Sequence, residues 1–72
     1  MKYNSVNEIG VGDVVVYEGR CYLVLVNYIK GETDAKGFTP KSNFTILIAP
    51  DGKKTAITDY RELNVIVDFD EY

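Results

Sequence analysis

The chain has no histidine, no tryptophan, one cysteine and two prolines. Without histidine it lacks the commonest general base, the commonest metal ligand and every histidine-based triad. One cysteine, Cys21, can close no internal disulfide and can build no structural zinc site. No apolar run approaches the roughly 20 residues of a membrane helix. The first residues carry no apolar stretch of the signal-peptide kind, which points to the cytoplasm. Gly10 and Gly12 lead towards a strand, not a helix, so they do not form a phosphate loop. Asp68 and Asp70 share a strand face but have no cleft to raise one of them. No enzyme, no cofactor, no metal and no small-molecule substrate is expected.

What is present is β-forming material. The chain has 72 residues and is 46% hydrophobic, enough for one small globular domain. Its net charge is −3, unevenly spread. Residues 30 to 54 hold Lys30, Lys36, Lys41, Lys53 and Lys54 against three acids, while residues 59 to 72 hold five acids against Arg61. Six tyrosines and three phenylalanines are the main candidate contact groups.

Period-two patterning predicts strands at Asp13–Tyr17, Arg20–Tyr28, Asn43–Ala49, Lys54–Thr58 and Asn64–Phe69. Val6–Val11 reads equally as strand or loop. Glu18-Gly19 and Pro50-Asp51-Gly52-Lys53 are tight turns. Ile29–Ser42 reads as a long loop, with Gly31, Gly37 and Pro40 punctuating it. Asp59-Tyr60-Arg61-Glu62 has the spacing of a helix cap followed by a single 3₁₀ turn. The pattern assigns Val15, Val24, Ile46, Ile48, Ile57, Leu63 and Ile66 to the core. In the first hairpin Val14, Val16, Leu23 and Leu25 are as apolar as their neighbours, so its core face stays open. Cys21 reads as a small half-buried hydrophobe.

These elements, in this order, predict an all-β, five-stranded antiparallel barrel with one short 3₁₀ turn. Val11-Gly12-Asp13-Val14-Val15 leads into the first hairpin, Gly19 tips it and Tyr22-Leu23-Val24 leaves it. Asp51-Gly52 tips the second hairpin, and Asp59-Tyr60-Arg61-Glu62-Leu63 precedes the last strand. Across roughly residues 9 to 67 this resembles the SH3-like small barrel, in its KOW or Tudor-type variants. The resemblance implies a ligand surface between the long loop and the 3₁₀ turn, beside the first hairpin. A KOW-type nucleic-acid module would be basic, which this chain is not. A Tudor-type cage needs converging aromatics, for which Tyr17, Tyr28, Phe38 and Tyr60 are the candidates.

The function expected is that of a small adaptor or inhibitor, of the kind phages and mobile elements encode, docking on a protein partner. Phe38, Tyr28, Tyr17 and Tyr60 are its expected anchors, with Lys36 and Lys41 as rim. Phe38 has a second reading, as a lid over the barrel mouth. The alternatives are a nucleic-acid-binding barrel using the lysines of residues 30 to 54, and an acidic DNA mimic using residues 59 to 72.

Overall fold

The computed structural model describes residues 1 to 66. A 3₁₀ turn at Val6–Glu8 precedes strands β1 (Val14–Tyr17), β2 (Arg20–Tyr28), β3 (Phe44–Ile48) and β4 (Lys54–Ile57). A second 3₁₀ turn, Tyr60–Glu62, leads into β5 (Asn64–Val65). The expected continuation of the last strand to Phe69 lies outside the described residues. The strands form one antiparallel sheet in the order β4-β3-β2-β1-β5. Among the described residues β4 and β5 share no ladder, so the sheet is open and not a closed barrel.

Local chemistry explains the turns. Glu18 and Gly19 both adopt positive φ, 51° and 77°, as a two-residue hairpin with right-twisted strands requires. At the second hairpin the Asp51 side chain accepts from the Lys53 amide, and Gly52 takes φ 89°. Asp59 caps the second 3₁₀ turn by accepting from the Arg61 amide at 3.0 Å. The Glu62 amide donates to the Asp59 carbonyl, but its carboxylate does not accept the Asp59 amide, so only the cap half of the motif forms among the described residues.

The ladder decides which residues are inside. Val15, Val24, Leu47 and Ile57, one from each of β1 to β4, line one face and are buried together with Leu63. Ile46 and Ile48, assigned to the core from the sequence, are only half-buried, and Leu47 and Thr45 take the inner positions instead. Ile66 likewise lies half-buried beside Val14 on the outer side, not in the core. The reason is register: Leu47 lies opposite Val24 and Thr45 opposite Ile57. A one-residue difference in facing exchanges the two apolar sets.

A bulge between Val24 and Val26 adds a further switch. Before it, Tyr22 and Val24 face inward. After it, Asn27 faces inward opposite Thr45, and Val26 and Tyr28 face outward opposite Ile46 and Phe44. The buried Thr45 hydroxyl donates to Asn27 Oδ1 at 2.7 Å, and Asn27 Nδ2 donates to the Val6 carbonyl at 2.9 Å. This polar chain leaves no buried side-chain donor or acceptor unpaired among the described residues.

The N-terminal segment covers the inner face. Tyr3 and Ile9 are buried members of the core, with Val6 packed beside them. Tyr3 donates its hydroxyl to Asp13 Oδ2 at 2.6 Å, and the same oxygen accepts the Gly10 amide at 3.0 Å. Lys2 bridges to Asn64, and Lys2 Nζ reaches the Arg61 carbonyl at 2.8 Å. The segment whose first half carried no assignment is therefore a strap that completes the core.

Two outcomes follow. Leu47→Ala removes a fully buried side chain and should cost about 2–5 kcal/mol, whereas Ile48→Ala should cost clearly less, read as denaturation midpoints. Equal losses at both positions would mean that the β3 facing is wrong. Burial first, and then the bond to Asp13 and its charge, hold the Tyr3 hydroxyl well above the usual phenol range. Its stabilising share is complete below the unfolded phenol value and is lost as pH rises past about 10. Tyr3→Phe should cost about 1–2 kcal/mol at neutral pH and flatten that alkaline decline, measured by urea unfolding across pH.

Candidate functional site

The outer face of the sheet is as apolar as the inner one and has no cover among the described residues. Leu23 pairs with Val14 on one side and with Ile48 on the other, so these three side chains form one row. The Ile66 amide donates to the Val14 carbonyl at 2.9 Å, which carries the row one residue beyond β5. Together with Cys21 and Pro50 they line an open groove of about 330 Å³. Cys21 is exposed, not half-buried. Leu23 and Leu25 are 44% and 39% exposed, high for leucines on a sheet face.

Towards the far end of β2 the face turns aromatic. Tyr28 packs on Phe44 with ring centroids 4.7 Å apart, and Phe38 meets Tyr28 edge-on at 5.3 Å. Val26 and Ile46, paired with each other, join this cluster to the groove. Phe38 is 47% exposed and lies against Tyr28, not against the core cluster. It does not act as a lid over the core.

The loop that carries Phe38 is exposed from residue 31 to 39, but it is internally tied. Gly31 donates to the Pro40 carbonyl at 3.1 Å and the Lys30 amide to Asn43 Oδ1 at 2.7 Å, which closes its base. At its tip Asp34 Oδ1 accepts the amides of Lys36 and Phe38, both at 2.9 Å, and the Asp34 amide donates to the Phe38 carbonyl. Asp34 thus sets where the Phe38 ring stands. No turn template in the sequence announced that role.

The expected contact residues separate into two groups. Phe38, Tyr28, Lys36 and Lys41 belong to the outer face and its loop. Tyr17 and Tyr60 pack against the core cluster, and Tyr17 meets Tyr22 edge-on at 6.1 Å. Tyr17 sits at the opposite end of the long hairpin from Tyr28, since it pairs with Arg20 at the start of β2. The Tyr60 hydroxyl donates to the Asn4 carbonyl at 3.3 Å. Partial burial and the Glu18 and Glu62 carboxylates push the Tyr17 hydroxyl upward, marking an acidic neighbourhood. The residues that the sequence left out of the site are the row Val14, Leu23, Ile48 and Ile66. For Val14 and Leu23 the signal was present as the open choice of face in the first hairpin, whereas Ile48 and Ile66 were assigned to the core and stand on the outer face instead.

The acidic segment is only partly described. The Asp59 carboxylate is held below the usual range by hydrogen bonds from the Arg61 side chain and amide, and it grips the guanidinium at 2.9 and 3.0 Å. Asp68, Asp70 and Glu71 lie outside the described residues. Among the described residues no three of Cys, Asp and Glu converge as a metal site would need, and no helix is long and apolar enough to cross a membrane. No protein-family model, no curated protein and no solved structure matches the chain.

The geometry makes Asp34 a control point. Asp34→Ala should speed amide exchange at Lys36 and Phe38 and shift the Tyr28 ring resonances, with core amides unchanged in a hydrogen-exchange NMR series. Unaltered exchange at Phe38 would remove Asp34 from the positioning of the ring.

Proposed function

We propose that this chain is a non-catalytic protein-interaction module, an SH3-like small barrel left open on one side. It docks a protein partner through the outer face of its sheet and the Phe38 loop. The strand order β4-β3-β2-β1-β5, with a 3₁₀ turn between β4 and β5, supports the fold part of this reading. One observation carries the functional part: an apolar face, uncovered among the described residues, that runs from Ile66 through Val14, Leu23 and Ile48 to Phe44, Tyr28 and Phe38. Contiguous apolar surface of this kind is uncommon on soluble monomers and marks a place where something binds. Its aromatic end supplies stiff, large anchors, and the lysines around it act on association rate more than on affinity.

Nucleic acid is the weaker candidate. Lys36 and Lys41 flank Phe38, but Glu32 and Asp34 stand in the same exposed loop and offset them. Binding driven by phosphate needs a surplus of cations.

Affinity capture from the native host with wild type, Phe38→Ala and Leu23→Asp tests the reading. A protein retained by the wild type should survive nuclease, and each variant should bind it more weakly by at least about 1 kcal/mol with near-unchanged thermal stability. Loss of the captured protein on nuclease treatment, with oligonucleotide affinity falling steeply with salt, would hand the surface to nucleic acid.

A further inference from the structure

The outer face has a shape that restricts what can lie on it, and this inference rests on the protein-docking reading above. The groove is centred on the Leu23–Ile48 pair and the aromatic cluster on the Tyr28–Phe44 pair. Along β3 these centres are four residues apart, Ile48 to Phe44, or about 13 Å at strand rise. Between them lies the Val26–Ile46 pair, also on this face. An extended partner segment running alongside would place side chains i and i+4 over the two centres, because those positions share a face.

Charge sets the rest. Lys54 lies opposite Ile48 and so shares its face, with Lys53 next to it at the hairpin tip. The one acid of that tip, Asp51, uses its carboxylate to accept the Lys53 amide. Lys36 and Lys41 stand in the loop at the aromatic end, where Glu32 and Asp34 are the opposing acids, the latter bonded to loop amides. None of these four lysines forms an ion pair among the described residues.

A second copy is the poorer occupant on area. At its longest and widest the face measures about 30 Å by 19 Å, under roughly 600 Å² per copy, against the roughly 800 Å² per partner of a stable interface. We propose that the face binds an extended segment of a protein partner that carries two bulky apolar side chains at i and i+4, with carboxylates flanking them.

The test is fluorescence anisotropy with the full chain at low salt. The probe is a labelled peptide Asp-Asp-Phe-Ser-Thr-Ser-Leu-Asp-Asp. Its controls are the same peptide with lysines at both ends and an acidic peptide with one spacer residue removed. The acidic i, i+4 peptide should bind at least about tenfold tighter than either control, and the advantage over the lysine form should shrink with added salt. Leu23→Asp and Phe38→Ala should each weaken it at least about fivefold, and a Lys53→Glu, Lys54→Glu double variant should erase the preference for acid. Absence of binding up to about 1 mM overturns the proposal. Equal binding of acidic and lysine peptides, both lost in Leu23→Asp, overturns the acidic chemistry and leaves the docking face in place. Loss of neither in Leu23→Asp, with host capture by that variant also intact, overturns both readings. A mass that doubles with concentration and returns to monomer in Leu23→Asp assigns the face to a second copy, against the proposal. Tenfold tighter peptide binding in Phe69→Ala assigns it to the chain's own residues 67 to 72, again against the proposal.

Discussion

The packing of this chain depends on the pairing of Val24 with Leu47 and on the bulge that follows it. Side chains alternate along a strand, so fixing one pair fixes the facing of every neighbour until a bulge intervenes. Val24 opposite Leu47 sends both inward, between Val15 on β1 and Ile57 on β4. The extra residue at Leu25 then reverses β2, so that Asn27 faces inward and Tyr28 outward. Without that reversal Tyr28 would point to the strap side and Asn27 to solvent. Thr45 would lose its partner, and Phe38 would have no ring to lean on.

Features set by neighbours in the chain were legible in the sequence. The Glu18-Gly19 and Asp51-Gly52 turns, the Asp59 cap and the first four strands follow from local backbone chemistry and form within a residue of the expected ends, while the last strand is described only at Asn64–Val65. The choice of face was not legible, because it is a property of pairs. In β3, Phe44, Ile46 and Ile48 are together more apolar than Thr45 and Leu47, so hydrophobicity alone favours the wrong set. Thr45 is inside because Asn27, eighteen positions away in sequence, accepts its hydroxyl hydrogen bond. The strap was hidden for the same reason: nothing local to Tyr3 marks it as a core residue, and its partner Asp13, which accepts its hydroxyl hydrogen bond, lies ten positions on. Of the expected contact residues, Phe38 and Tyr28 meet because a turn held by Asp34 aims one at the other. Tyr17 and Tyr60, equally aromatic in the sequence, serve the core.

A sheet that is apolar on both sides needs two covers, and the described residues supply one. The strap of residues 1 to 9, with Leu63 behind it, closes the inner side by burying Tyr3 and Ile9. So small a domain has only a few kcal/mol of net stability, and leaving Leu23, Leu25 and Phe38 in water forgoes part of what burial could contribute. Polar residues there would improve solubility at no loss to the inner core. Keeping them apolar is therefore hard to account for by folding and simple to account for by binding, which is the physical content of the proposed role.

Charge separates this face from the chain's net acidity. Residues 1 to 66 contain eight basic and eight acidic side chains, so the net −3 resides in Asp68, Asp70 and Glu71. The side chains of residues 1 to 66 thus carry no net charge, so net charge alone supplies no long-range attraction. Recognition, in the proposed role, would then depend on short-range terms. In the proposed role, apolar contact in the groove and on the aromatic cluster would govern how long a complex lasts, while individual lysines within a Debye length would select the sign of what arrives. On a neutral body the placement of four lysines outweighs their sum. The total charge that argues against nucleic acid for the whole chain therefore says little about this face, and the acids Glu32 and Asp34 beside Phe38 say more.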